Sequence, residues 1–402
     1  MLALRWALLL GPIGLVVVMI KVRNLSRRAQ IGGLFAFLYG VPMVFVTHSI
    51  AIQLGWWRYG WDALMINGIP ADILIGGAVL FGPGLYFSFP NTRPLMICLP
   101  IIIGLHGTIF SSLEPLVFAG RNWFWGVIFV FLVAHIPAIY LAKWTEEDRN
   151  LPLRCALLAI MTGGMIFAVI PSLIMHAMGG TWDVLDRPAW VLLVTFLVLG
   201  LVSTIGLTAN QSLCLQGDGT PIPLDPTKRL VTTGIYSYVS NPMQLSAALG
   251  FLVLGIVLLN IWIMVAALMA WIFVQGMVRW HHRHDLLKRF PTGWPEYKEN
   301  VPEWCPRWRP WVKGEATLHL RPNQTVLRRI LTHATGISVR DTSGASRYEN
   351  ADNLRDFRGA ASALVALTHV NFAWMVFAAA LLLPVLAFDH FGGRLKPLGS
   401  AA

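Results

Sequence analysis

Apolar residues run along this chain in long, nearly unbroken blocks, at about 3–20, 31–53, 70–90, 95–112, 122–143, 154–178 and 188–208. Blocks of about 18–24 residues match the roughly 30 Å hydrocarbon core of a bilayer at 1.5 Å rise per helical residue. Barrel strands would be shorter and would alternate apolar with polar positions. Two further blocks, about 242–259 and 261–279, are separated only by Leu259 and Asn260, which predicts a helical hairpin. A last block, about 364–388, contains His369 and Asn371 and either spans or lies as an interfacial helix on the segment before it. The pattern predicts an all-α polytopic bundle of about nine or ten spans. It divides into a seven-span region at 1–208, a hairpin with its flanks at 209–311, and a small appendage at 312–402, whose 312–363 part is polar.

Composition agrees with a membrane protein. Of 402 residues 56% are hydrophobic and only 13% charged, against roughly 25% charged in soluble domains, and mean hydropathy is +0.61. The net charge of +11 would raise nucleic-acid binding in a soluble protein. Here the cations flank apolar blocks, which points instead to topology and lipid headgroups. Lys21, Arg23, Arg27 and Arg28 follow the first block as a stop-transfer pattern, so it is kept as a span and not a cleaved signal. With that loop in the cytosol, alternation also places Lys143, Arg149, Arg154, Lys228 and Arg229 inside, and leaves Arg58, Arg121 and Arg187 outside. Both ends of the hairpin then face the cytosol, with a plasma or inner membrane as the expected location. No span is expected to carry an internal pair of Asp, Glu, Lys or Arg, which argues against a transporter.

Metal chemistry has little support. Cys98, Cys155, Cys214 and Cys305 are scattered, with neither disulfide nor zinc-ligand spacing. His48, His106, His135 and His176 fall in four different blocks, where hydrogen bonds between helices account for them. His281 with His284 or Asp285 shares a helix face, but no second cluster completes a site, so no metal is expected.

The densest chemistry lies at the hairpin's ends. Pro221-Ile-Pro-Leu-Asp-Pro226 reads as an extended strap, because each proline removes an N–H and restricts its predecessor. Gly234 permits a tight bend. Asn241-Pro242 is a helix start, with Asn as N-cap and Pro in the first turn, and the free N–H groups of that start suit a carboxylate. After the hairpin, Trp280, Trp294, Trp304, Trp308 and Trp311 form an aromatic belt like that of Trp56, Trp57 and Trp61 beside the second span.

The order Leu230-x-Thr-x-Gly-Ile-Tyr-x-Tyr-Val-x-Asn-Pro-Met243, an apolar hairpin, Leu286-x-x-x-Phe290 and Trp294-x-x-Tyr297-x-x-x-Val301-Pro302 resembles the isoprenylcysteine carboxyl methyltransferase and phospholipid methyltransferase superfamily over about 221–311. The resemblance implies S-adenosylmethionine held between the entrance and the segment after the hairpin. Tyr236, Tyr238, Asn241, Pro242 and Gln244 would form one wall, and Trp280 and Tyr297 the other. Asp285, His284 and Arg283 are the implied catalytic residues, the first two as bases and Arg283 orienting an anionic acceptor. The family's entrance pattern is Tyr-x-x-x-Arg-His-Pro-x-Tyr-x-Gly. Here Ser240 stands for Arg, Asn241 for His, Gln244 for Tyr and Ser246 for Gly. His282 and Arg283 stand where the family carries a Glu pair.

The implied function is methyl transfer, from the cytosolic side, to a lipid-like or small hydrophobic acceptor, with membrane lipids as partners and no nucleic acid. The departures open an alternative: a membrane scaffold that keeps the fold without the enzyme and uses 312–363 to bind a protein partner. Gly55-Trp-Trp-Arg-Tyr-Gly-Trp61 with Gly68-Ile-Pro-Ala-Asp72 also resembles lycopene-cyclase-type carotenoid enzymes, which leaves an isoprenoid-modifying enzyme as a third reading. The stretch from Gly359 to Pro384 resembles the tail of small thioredoxin-like thiol-disulfide domains, but 306–402 contains no CxxC.

Overall fold

The computed structural model describes residues 2–60, 64–104, 113–184, 186–350 and 356–391. His106, Trp61, Arg394 and Lys396 lie outside the described residues. The chain is predominantly helical and divides into two compact units, 1–183 with 258–263, and 184–257 with 264–402.

The first unit holds α1 (Leu2–Val22), α2 (Arg27–Gln53), α3 (Asp72–Ser88), α4 (Pro94–Gly104), α5 (Trp123–Glu146) and α6 (Leu151–Met178). It also holds four short strands, β1 (Trp57–Tyr59), β2 (Met65–Ile66), β3 (Ile69–Pro70) and β4 (Val117–Ala119), paired β1 with β4 and β2 with β3, both antiparallel. α2 packs along α5. Gly32 makes that approach close, since a Cβ there would sit 2.5 Å from the Ala142 carbonyl oxygen, the small-residue contact that lets membrane helices meet.

This unit corrects one expectation. Arg5 on α1 and Asp72 at the start of α3 form a buried ion pair at 3.2 Å, and the guanidinium also reaches the carbonyls of Gly60 (3.3 Å) and Leu116 (3.4 Å). A buried pair with further donors on carbonyls is the tolerable form of charge in such surroundings, although the Arg5 Nε is left without a partner among the described residues. The histidines have local partners: His48 bonds the Tyr59 hydroxyl, and the His135 ring packs on Phe81 and Phe131 at 4.6 and 4.9 Å.

The second unit begins at α7 (Ala189–Leu215), just after Pro188. α8 (Pro242–Leu258) and α9 (Ile261–Arg289) are joined at Leu259 and Asn260. The Asn260 Oδ1 accepts from the backbone N–H of Trp262 and Ile263 and so caps α9, while its Nδ2 donates to the Gly179 carbonyl at 2.9 Å. α9 continues ten residues past the predicted end at 279, through π-turns at Val274–Val278 and His282–Leu286. Contacts at i,i+4 explain how so charged a stretch stays helical: the His281 ring against Asp285 at 3.5 Å, and the ion pair of Asp285 with Arg289. α10 (Gly293–Asn300) follows.

The appendage contains the four-stranded mixed sheet of β5 (Ala316–Leu320), β6 (Ile337–Asp341), β7 (Arg347–Glu349) and β8 (Phe357–Arg358) in the order β6-β5-β7-β8. β5 and β6 are parallel, joined through α11 (Thr325–Leu331), and the other pairs are antiparallel. The last apolar block is two helices, α12 (Ala360–Leu367) and α13 (Phe372–Phe391), broken where His369 bonds the Thr335 carbonyl and Asn371 Oδ1 accepts from Trp374 N–H. Ala378 and Leu382 on α13 enter the appendage core with Leu318, Leu320 and Tyr348.

Among the described residues six helices are long and apolar enough to cross a membrane: α1, α2, α5, α6, α7 and α9. Shorter apolar helices are α3, α4, α8 and the 372–382 part of α13. Each of these ten falls within or overlaps one of the ten apolar blocks read from the sequence, the last block being divided between α12 and α13.

Candidate active site

The entrance segment 234–241 and the return segment 294–311 are stitched together, backbone to backbone and ring to backbone. The Tyr297 hydroxyl donates to the Tyr236 carbonyl (2.8 Å), Trp311 N–H to the Ser237 carbonyl (2.8 Å), Arg307 N–H to the Tyr238 carbonyl (3.0 Å), and Ser240 N–H to the Pro302 carbonyl (2.8 Å). Gly234, at φ +61°, makes the bend that starts the segment. Tyr236, Tyr238, Trp294 and Tyr297 are buried in one cluster with Ile235, Val239 and Val301, and with Met375 and Ala379 from α13. Trp294, Tyr297 and Trp311 form a chain of rings, with centroids 5.7 and 5.9 Å apart. Burial raises the phenols of Tyr236, Tyr238 and Tyr297 well above their ordinary value, so all three stay neutral donors.

Of the predicted cofactor residues, Tyr236, Asn241, Pro242 and Tyr297 come together at this seam. Tyr238 lies beneath it: its hydroxyl donates to the Thr368 carbonyl at 2.7 Å and its ring meets Phe372 edge-on. Asn241 opens α8, its carbonyl accepting from Leu245 N–H at 3.0 Å, with Pro242 in the first turn. Gln244 is half-buried one turn on.

Three polar atoms at the seam are buried without a partner among the described residues: Ser240 Oγ, Asn241 Nδ2 and Trp304 Nε1. Ser240 and Asn241 are neighbours, and Trp304 lies two residues beyond Pro302, the residue bonded to Ser240. Buried groups left unsatisfied cost about 1–3 kcal/mol each, and such exceptions call for an explanation. Two of the three can only donate, so the set suits a ligand rich in acceptors, such as a carboxylate or a ribose.

The second predicted wall differs. Trp280 is 55% exposed and stacks on His284 at 5.1 Å, whose Nδ1 bonds the Trp280 carbonyl. Arg283 is exposed. Asp285 is held bidentately by Arg289, at 2.9 Å from its Nε, and Arg289 reaches on to the Thr227 carbonyl of the strap at 2.5 Å. His282 leaves solvent to pack on Trp294 at 4.5 Å.

Glu303 is a residue that sequence reasoning missed. It pairs with Lys298 and stands 3.7 Å from Arg279. Burial raises its carboxyl, but the Lys298 bond and the charges of Lys298 and Arg279 outweigh this and hold it below its ordinary value. Its position directly after Val301-Pro302 was the available signal. Among the described residues no group of three or more His, Cys, Asp or Glu could hold a metal ion.

The entrance half of this seam lies in a stretch that matches a known family, and the return half lies beyond it. Residues 189–286 match the family model for phospholipid methyltransferase. The phospholipid methyltransferase domain thus runs from α7 through the entrance and α8 to Leu286, about a quarter of the chain, and places this part within the isoprenylcysteine/phospholipid methyltransferase superfamily. It starts earlier than the resemblance at 221–311, taking in α7. No curated protein and no solved structure matches the chain. A phospholipid methyltransferase domain among apolar helices points, at the level of class, to an integral membrane methyltransferase, and methyltransferases of this family generally use S-adenosylmethionine.

Proposed function

We propose that this protein transfers a methyl group from S-adenosylmethionine to a lipid-like or small hydrophobic acceptor, at the cytosolic face of a plasma or inner membrane. The observation that carries the proposal is the group of three buried, partnerless polar atoms at the stitched seam, two of them (Ser240 and Asn241) within the stretch that matches the phospholipid methyltransferase family and Trp304 on the return segment after it. They fit the group: Asn241 Nδ2 and Trp304 Nε1 would donate to its carboxylate or ribose, and Ser240 Oγ can donate or accept. Tyr236, Pro242, Gln244 and Tyr297 would line the same wall, with Tyr238 fixing it from below, and Trp280 would offer a ring opposite. Bound there, the cofactor supplies an activated methyl on a sulfonium.

The chain's own task is then alignment and exclusion of water. A thiolate or carboxylate acceptor needs no base. An amine or phenol would give its proton to His284, which is exposed at the mouth, or to Asp285 once Arg289 releases it. Arg283, exposed beside them, would orient an acidic acceptor. Lys228 and Arg229, in the loop that leads into the seam, support the cytosolic face.

Titration of the purified chain with labelled S-adenosylmethionine tests this. We expect saturable binding, weakened about tenfold or more in Asn241→Ala and in Trp304→Phe, as fits a lost hydrogen bond to a charged group. No saturable binding, or affinity unchanged in both variants, would sink the proposal. The scaffold reading is the second, favoured because Asp285 is already committed to Arg289 and His281. It predicts no binding at all, with a protein partner on 312–363.

A further inference from the structure

Away from the seam, the end of the return segment, the end of α11 and the start of α13 enclose a groove of about 420 Å³. Its walls carry Trp308, Trp374, Arg309, Arg329 and His333, and no acidic residue lines it. The frame is built locally: Phe372 N–H donates to the Trp308 carbonyl at 3.0 Å, and Asn371 Oδ1 accepts from Trp374 N–H at 3.0 Å.

Neither arginine has a carboxylate within ion-pair distance among the described residues, whereas the neighbouring Arg328 is paired with Asp341. Two unneutralised guanidinium groups beside indole rings suit a phosphate, for which Arg offers paired donors. Trp308 is 63% exposed, and exposed Trp prefers the headgroup level of a bilayer.

The groove does not end in water. Trp374, Phe377 and Leu381 follow one another at i, i+3 and i+7 along α13, the first two in edge-to-face contact at 5.6 Å. Phe377 and Leu381 are 51% and 41% exposed. A cationic pocket that continues into an exposed apolar helix stripe has the two-part chemistry of a lipid, and a soluble phosphate compound would use only half of it.

We infer that this groove binds one anionic phospholipid, its phosphate on Arg309 and Arg329 and its acyl chains along the Trp374–Phe377–Leu381 stripe. The groove borrows Trp308 and Arg309 from the return segment, but the inference stands apart from the methyltransferase proposal, since none of its residues is assigned there to the cofactor or the acceptor.

The test is lipid binding to the full chain in neutral detergent, read by native mass spectrometry with phosphatidylglycerol, phosphatidylcholine and free glycerol phosphate as probes. Phosphatidylglycerol should bind in preference to phosphatidylcholine, and glycerol phosphate should not displace it. Arg309→Gln with Arg329→Gln should weaken phosphatidylglycerol about 25-fold, at about fivefold per cation. Arg340→Gln, an equal charge change on β6, should leave it unchanged. Phe377→Gln should weaken the phospholipid with both arginines intact. Equal binding by the double variant and the unaltered protein, equal affinity for phosphatidylcholine, or displacement by glycerol phosphate would each overturn the inference, the last in favour of a soluble anion.

Discussion

The two walls of the candidate site are built on different physical terms. The entrance and return segments are joined by four hydrogen bonds to the successive carbonyls of Tyr236, Ser237, Tyr238 and Ser240's partner Pro302, over a core of buried rings. The end of α9 presents exposed side chains, a π-turn and half-exposed ion pairs. Backbone bonding fixes the first wall whatever side chains point outward from it, which explains how Ser240 and Gln244 occupy the family's Arg and Tyr positions while the seam keeps its shape. The second wall is set by charges that salt screens, and π-turns of this kind recur at functional sites. The first wall is a platform; the second can move.

The sharpest way to break this comparison is Tyr297→Ala. It removes a ring that is 2% exposed, two ring contacts and the hydrogen bond to the Tyr236 carbonyl. Truncation of a large buried aromatic costs about 3–5 kcal/mol, so thermal unfolding should shift by many degrees and cofactor binding should go with it. Tyr297→Phe should lose only about 1–3 kcal/mol, the cost of one unmade bond to a buried carbonyl. Equal melting temperatures for Tyr297→Ala and the unaltered protein would mean that the seam is not what holds this wall.

Legibility from sequence followed distance along the chain. The apolar blocks gave ten helices in place because each is a local pattern, and Asn241-Pro242 marked the start of α8 for the same reason. Asn260 likewise capped α9 within three residues. What stayed hidden was pairing between remote residues. The Tyr238 hydroxyl finds the Thr368 carbonyl, 130 residues away, which no local pattern shows. Arg5 and Asp72, 67 residues apart, each sit at the edge of an apolar block and read singly as boundary charges. Glu303 had only its place after Val301-Pro302 to mark it, and Lys298 and Arg279 converge on it only in the fold. The extension of α9 to Arg289 escaped because its 279–289 stretch is charged, and only the i,i+4 pairs show that it is helical.

The contact below the first wall titrates. His369 is buried, its Nδ1 bonded to the Thr335 carbonyl (2.9 Å) and its Nε2 to the Tyr348 hydroxyl (2.8 Å). The carbonyl needs an N–H at Nδ1, so Nε2 accepts from Tyr348 in the neutral ring. Burial lowers the pKa, and the Thr335 bond only partly restores it, leaving it below 6.5. A depressed histidine contributes stability that is complete above its unfolded pKa of about 6.5 and lost as pH falls through the folded value. The melting temperature should therefore be flat from pH 8 to 7 and decline below about 6.5. His369→Gln should flatten that decline. If the variant keeps the full acid slope, another group carries it, and Tyr238's anchor at Thr368 is not pH-sensitive.

The smallest effect should come from the second wall, and its smallness is the point. Arg289→Gln removes the bidentate partner of Asp285 and the bond to Thr227. Both side chains are about a third exposed, at 28% and 31%, where an ion pair contributes roughly 0.2–1 kcal/mol. The melting temperature should fall by a degree or two in low salt, and the difference should shrink in 0.5 M salt, taken as roughly three times the ionic strength at which the screening length is about 8 Å. The same change frees Asp285. If Asp285 serves as base for an amine or phenol acceptor, transfer should rise or shift its pH profile while stability barely moves. If the end of α9 is instead a fixed wall, Arg289→Gln should cost as much as Tyr297→Phe and show no salt dependence, and the contrast between the two walls would collapse.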